Sequence, residues 1–166
     1  MYLDIPKPNY QNKLVTPIQT TKDITKAIIK GIKESLPQAK ASADKFKGST
    51  KVQTLNNLWQ HLKYRYNYKA EPTEYQTVKT LSRIYRDRTK GNDCKHFTTF
   101  ITVYCLTHKI PVMLRLVSFK TYDRTPTHIY PVAIVNGNEI PVDAVINQFG
   151  VNPPGIKYKK DIPLNF

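Results

Sequence analysis

The order of patterns along this chain predicts an α+β fold, with N-terminal helices and a central cysteine-bearing helix packed on a small antiparallel β-sheet. Three observations predict it. Apolar residues recur at helical spacing through the first third of the 166 residues. From Cys94 the positions Phe97, Phe100, Ile101, Tyr104 and Cys105 repeat that spacing as an amphipathic helix. After Pro111 the texture becomes β, and Asn136-Gly137 between apolar runs is the strongest hairpin signal in the chain.

Residues 1–20 carry Pro6, Pro8 and Pro17 among polar residues and are expected to form a surface arm without a regular period. A single domain is expected over residues 21–150, with its core at about 55–145. Ile24, Ala27, Ile28, Ile32 and Leu36 define the first helix, with Thr21 or Asp23 available as a cap. Pro37 ends that helix or restarts it over residues 38–46. Another helix, from Ser49 or Thr50 to about Tyr66, buries Val52, Leu55, Leu58, Trp59 and Leu62. A linking stretch with Pro72 precedes a short helix from about Gln76 to Tyr85, and Gly91 punctuates the turn that follows. Asp93 then stands where the N-cap of the Cys94 helix belongs. The β segments are Val112 to Tyr122, Thr127 to Val135 and Glu139 to Val145. Pro153-Pro154-Gly155 marks a loop, and residues 151–166 read as a basic tail.

Composition excludes several classes. Hydrophobic residues at 40% and aromatics at 11% can build a core, so a natively unfolded chain is ruled out. The longest apolar stretch, Ile129 to Val135, contains Pro131 and falls far short of the ~20 residues a membrane helix needs. The start Met1-Tyr2-Leu3-Asp4-Ile5-Pro6 has no basic run, apolar run or small-residue cleavage site, so no secretion signal is expected and the location is read as cytoplasmic. Net charge is +14 with a pI near 9.8, which favours an anionic partner such as nucleic acid or an acidic polymer. Basic residues run from Lys7 to Lys160 without one dense block, so no particular polyanion is singled out. The interleaved run from His61 to Lys69 could stack bases and neutralise phosphates, but it reads more simply as a helix end with packed tyrosine rings and solvated cations. Arg83, Arg86 and Arg88 allow two readings, recruitment of an acidic substrate or a solvated basic turn. Phosphate-loop, dinucleotide and nucleophile-elbow motifs are absent, and no cofactor is expected.

The chemistry concentrates on Cys94, His128 and Asp143. Cys94 opens a helix, on the same stripe as Ile101 and Cys105, so its thiol faces inward. Unpaired N–H groups and the positive end of the dipole at that terminus favour an anion, and hence the thiolate. If Asn136-Gly137 forms a two-residue type I′ turn, Tyr130 faces Asp143 and His128 faces Val145. His128 and Asp143 are then diagonal neighbours on one face, roughly 7 to 8 Å apart and within reach of an imidazole–carboxylate hydrogen bond. A three-residue turn would put them on opposite faces. Chemistry assigns His128 as the base that takes the thiol proton and Asp143 as the group that orients the ring. The Cys94 backbone N–H is one candidate oxyanion donor, and Gln76, with Gln60 as competitor, is the other.

The segments Gly91-Asn92-Asp93-Cys94, His128-Ile129-Tyr130 and Val142-Asp143-Ala144, in that order, resemble the transglutaminase-like branch of the papain-like cysteine proteases. The similarity spans about Leu55 to Val145 and is greatest to the short forms carried by bacteriophages and mobile elements. Here Asn92 separates the glycine from the acid, and Tyr130 stands where tryptophan is commoner. The resemblance implies a helix on an antiparallel sheet, a Cys94-His128-Asp143 triad, and a protein or peptide substrate, most simply for a peptidase or amidase, with cross-linking open. It also makes Asp93 and Tyr130, beside the triad residues, candidates with Gln76 for oxyanion or substrate binding. The alternative is a catalytically silent, basic structural or virion-associated protein of the same fold that contacts nucleic acid.

A four-ligand zinc site from Cys94-x-His96 and Cys105-x-x-His108 is rejected on distance, which leaves at most a Cys105–His108 pair. Eleven helical residues separate the two cysteines by about 16 Å, whereas zinc ligands converge within ~2.3 Å of one ion. The same separation forbids a disulfide, so both thiols are expected to be free and Cys105 to belong to the core.

Overall fold

The computed structural model describes residues 2–7, 12–15 and 20–164. Of the expected arm, Met1 and residues 8–11 and 16–19, which include Pro8 and Pro17, lie outside the described residues, as do the last two residues of the expected tail. The fold is α+β, and its centre is the helix that begins at Cys94.

Strand β1 (Asn12–Val15) precedes α1 (Thr21–Ala39) and a 3₁₀ segment, Lys40–Phe46. The N-cap of α1 is Thr20, whose hydroxyl oxygen accepts from the Asp23 N–H at 3.3 Å, one residue before the earlier of the two expected caps. Pro37 does not end α1. It occupies the last turn on the exposed side, where water can replace the helical bond that proline cannot make. Helix α2 (Lys51–Arg65) is capped by Thr50 and buries Leu55, Leu58, Trp59 and Leu62, but Val52 is exposed on the opposite side.

The expected helix from Gln76 is instead a strand, β2 (Gln76–Lys79), followed by the short α3 (Leu81–Arg86). Strand β2 pairs antiparallel with β1, from Asn12↔Lys79 to Val15↔Gln76, so part of the expected arm belongs to a two-stranded sheet. Leu3, also in that arm, is fully buried, and its N–H donates to the Tyr85 hydroxyl at 3.3 Å.

Helix α4 (Cys94–Thr107) starts where expected but has no solvent side for most of its length, since every residue from Lys95 to Cys105 is buried. Its aromatic stripe turns away from the sheet: Phe100 and Tyr104 pack against Phe46, and Phe97 and Phe100 against Tyr66. Thr98 takes the opposite side, its hydroxyl donating to the Ile129 carbonyl at 3.0 Å. A single turn of α4 thereby fastens the helix to the strand that carries His128.

The main sheet is antiparallel in the order β5-β4-β3-β6. Strands β3 (Val112–Ser118) and β4 (His128–Val135) pair from Val112↔Ala133 to Val117↔His128. A two-residue turn joins β4 to β5 (Asn138–Pro141), with Val135 opposite Asn138 and positive φ at both Asn136 and Gly137, 52° and 78°, as a type I′ turn requires. Both β3 and β5 are shorter than the sequence suggests. The expected basic tail contains strand β6 (Tyr158–Pro163), an edge strand on β3, whose Asp161 receives two guanidinium N–H bonds from fully buried Arg115 at 2.7 and 2.8 Å. The lysines at 159 and 160 lie on that exposed edge, a placement that discourages pairing with other chains. No helix among the described residues is long and apolar enough to cross a membrane.

Candidate active site

Elements far apart in the chain converge on one cleft of about 360 Å³, walled in part by Ile24 and Ile28 of α1, Leu116 of β3 and Ile129 of β4, with Cys94 of α4 and His128 of β4 also lining it. Cys94 is partly exposed, at the first turn of α4. That turn is built with care: the Lys95 N–H donates to Asp93 Oδ1 at 3.1 Å, and the Asp93 N–H donates to His96 Nδ1 at 3.1 Å, closing a reciprocal cap. Burial first, then the charges of Lys79 and Lys95, push the His96 pKa down to about 3, so the ring is neutral; Nε2 then carries the hydrogen and donates to the Thr77 carbonyl at 3.1 Å. His96 is thus a structural cap. The other histidine of the rejected metal pattern, His108, contacts the Ala43 carbonyl through Nε2 at 3.0 Å.

His128 and Asp143 meet, Nε2 to Oδ2, at 2.6 Å. Asp143 lies just past β5, where Val142 continues the ladder by donating to the Pro131 carbonyl at 2.9 Å. Its other carboxylate oxygen accepts from the Val145 N–H at 2.9 Å, and its carbonyl accepts from the Trp59 indole N–H at 2.9 Å. With Nε2 engaged by Asp143, the nitrogen left to face the Cys94 thiol is Nδ1. Burial of the ring opposes protonation, but hydrogen bonds to Asp143 and Cys94 and the charges of both outweigh it, raising the His128 pKa to about 10. At neutral pH this imidazole carries both protons. Cys105, fully buried, has its thiol pushed up to about 12 by that burial.

The remaining candidates are distributed unevenly. Gln76 lines the cleft, but its amide nitrogen donates to the Pro72 carbonyl at 2.7 Å and its amide oxygen accepts from Lys95 Nζ at 2.7 Å. Gln60 is exposed on α2, away from the cleft lining. Asp93 lines the cleft as helix cap and forms an ion pair with Lys95, whose ammonium also lies 3.4 Å from Glu71. Tyr130 is buried beside the His128 ring, centroids 5.6 Å apart, and its hydroxyl donates to Asn152 Oδ1 at 2.8 Å; it does not line the cleft.

Sequence reasoning missed Tyr68, Trp59 and Thr98. Tyr68 is held beside the start of α4 by a parallel bridge to Asn92, with the Lys69 N–H donating to the Asn92 carbonyl at 2.9 Å. Gly91 permits this approach: its φ is +128°, and a Cβ there would lie 2.7 Å from the Lys69 Cβ. The Tyr68 hydroxyl has no hydrogen-bond partner among the described residues. Tyr68 is 46% exposed; the partial burial of its ring, then the charges of Cys94, Asp93 and Asp143, raise its pKa to about 12, so it keeps its proton.

No protein-family profile matches the chain, and no curated protein does. Among solved structures the chain is similar to a putative cysteine protease from Cytophaga hutchinsonii, at 16% identity over 85% of this chain and 42% of that one, with a TM-score of 0.50. It is also similar to a putative protease from Parabacteroides distasonis, at 14% identity over 73% of this chain and 26% of that one, with a TM-score of 0.52. The fold is therefore of the cysteine-protease kind. The chain spans less than half the length of either neighbour.

Proposed function

We propose that the protein is a thiol enzyme of the transglutaminase-like branch of the papain-like superfamily, acting on amide bonds as a peptidase or amidase. The observation that carries this reading is the 2.6 Å His128–Asp143 bond, with the same imidazole sharing a cleft with a cysteine at a helix N-terminus. The roles follow from the chemistry. The Cys94 sulfur, its proton held by His128, adds to the amide carbonyl carbon. Collapse of the adduct breaks the C–N bond, His128 gives the proton to the departing amine, and a thioester remains. Water, deprotonated by His128, then adds to the thioester carbon; the C–S bond breaks, the acid leaves, and the proton returns to the sulfur–imidazole pair. Asp143 holds the ring and stabilises its charge throughout.

For the oxyanion, the Cys94 backbone N–H supplies one donor. The unengaged Tyr68 hydroxyl is better suited as the second than Gln76, whose amide is occupied by backbone carbonyls. Asp93 acts through the cap and Tyr130 through packing against the ring. A basic scaffold without turnover is the second reading, and the +14 charge is what favours it.

The test is alkylation of the native protein with iodoacetamide, followed by peptide mapping, alongside a mixed peptide library read by mass spectrometry with a labelled amine present. The enzyme reading expects Cys94 to be modified at least about tenfold faster than Cys105, His128→Ala to slow that labelling, and Tyr68→Phe to reduce turnover about 100- to 1,000-fold while leaving labelling intact. Equal, slow labelling of both cysteines with no cleavage or transfer would leave the scaffold reading.

A further inference from the structure

On the far side of Tyr68 lies a second, open groove of about 490 Å³, lined by Lys63, Lys69 and Lys90 together with Tyr68, Phe97 and Ala144 among others. Its position relates it to the first cleft. Tyr68 lines both, Phe97 is one turn of α4 beyond Cys94, and Ala144 follows Asp143 directly. An extended peptide crossing Cys94 would leave one cleft and enter the other within one or two residues.

The two sides differ in chemistry. Apolar Ile24, Ile28, Leu116 and Ile129 wall the first cleft, where Glu71 and Glu74 also stand. The groove is lined by three ammonium groups and no carboxylate. Lys63 is anchored by donation to the Val145 carbonyl at 2.9 Å, while Lys69 and Lys90 form no ion pair among the described residues. The scaffold under them is hydrogen-bonded on both sides. The Asn67 N–H donates to the Arg88 carbonyl at 2.7 Å, the Asn92 N–H to the Asn67 carbonyl at 2.9 Å, and Asn67 Nδ2 to the Thr89 carbonyl at 2.8 Å. Cations along the groove next to the cleft that holds Cys94, with no carboxylate lining that groove, complement a carboxylate of a bound peptide.

We infer that this groove is a specificity subsite for an acidic residue one or two positions from the amide that Cys94 attacks, and that the substrates are acidic peptides with an apolar residue on the opposite side of that amide. The inference rests on the thiol-enzyme reading and narrows it. The same cations repel a lysine amine approaching from this side, so water rather than a protein lysine resolves the thioester.

Two measurements separate this subsite from the activity it serves. The first is cleavage of a random decapeptide library by the wild-type protein and by the Lys69→Glu/Lys90→Glu variant, with an unchanged melting temperature establishing that the variant is folded. Wild type should enrich Asp and Glu about tenfold over Asn and Gln beside the cleaved bond at low salt, less at high salt, and the variant should lose or invert that preference. Cleavage without acidic enrichment, or enrichment untouched by the charge reversal, overturns the subsite and leaves the thiol enzyme standing. The second is fluorescence polarisation with Cys94→Ala and two fluorescein-labelled octapeptides of alternating Leu and Glu or alternating Leu and Gln. Binding of the Glu peptide at least about fivefold more tightly, abolished by the charge reversal, supports the subsite even if wild type cleaves nothing, in which case only the enzyme reading fails. Equal binding of the two peptides, or tighter binding of a labelled oligothymidylate than of the Glu peptide, overturns it.

Discussion

Replacing Asp143 with Asn preserves size and hydrogen-bonding reach but removes the charge that keeps His128 protonated. In the native protein burial works against the imidazolium, and the bonds and charges of Asp143 and Cys94 nevertheless lift its pKa from 6.5 to about 10. The pair is nearly dry, with the His128 side chain 11% and the Asp143 side chain 2% exposed. With the carboxylate gone, burial dominates, and the ring of the variant should titrate at or below its ordinary value. The native displacement corresponds to about 5 kcal/mol at ~1.36 kcal/mol per pH unit. That figure is a ceiling for Asp143, because Cys94 contributes to it. Since the folded pKa lies above the unfolded one, this stabilisation is complete below about pH 6.5, declines as pH rises, and is gone above about pH 10. The assay pairs an NMR titration of the His128 ring with urea unfolding at pH 6, 8 and 10 in both proteins. Wild type should keep a charged ring through pH 8, and its stability advantage over Asp143→Asn should shrink steadily across that window. A ring that titrates near 6.5 in both proteins, or an advantage that does not change between pH 6 and 10, would refute the reasoning.

Three further perturbations have defined outcomes. Trp59→Phe deletes the indole donor on the Asp143 carbonyl; it should cost about 1 to 3 kcal/mol by chemical denaturation and slow Cys94 alkylation, because the backbone that presents the Asp143 carboxylate loses its tether. Gly91→Ala forces a side chain into a backbone at φ +128° and into the Lys69 Cβ, so the melting temperature should fall by an amount equivalent to about 1 to 3 kcal/mol. Arg115→Met removes the buried guanidinium shared by Asp161, Glu139 and Asn152; a loss of about 2 to 4 kcal/mol is expected, with hydrogen exchange accelerated in β6 before β4.

What was legible in the sequence is what local chemistry writes down. Asp93 before Cys94, ahead of a helical apolar pattern, locates the start of α4, and Asn136-Gly137 selects a two-residue turn whose parity puts His128 and Asp143 on one face. Their meeting at 2.6 Å follows from that parity. Strand β2 was not legible, because Gln76 to Lys79 is ordered by a partner more than sixty residues earlier in the chain and carries no strong alternation of its own. Strand β6 was hidden for a related reason: an edge strand with an exposed lysine pair looks like a tail until its hydrogen-bonding partner is known. Val52, at an apolar helical position, faces solvent because α2 buries a narrower stripe than its spacing suggests. Trp59, Thr98 and Tyr68 act through backbone groups of residues 84, 31 and 24 positions away, and no local pattern encodes such contacts.

The placement of β6 beside β3 bears on how the protein is made. Synthesis delivers β3, β4 and β5 in order, yet β3 becomes an interior strand only after residues 158–163 have left the ribosome. Until then its outer row of amides and carbonyls is open, and Arg115 waits for Asp161. A nascent chain stalled in that interval would present an adhesive flank to its neighbours on the same messenger. Of the four strands in this sheet, the latest in chain order is the one that closes that flank.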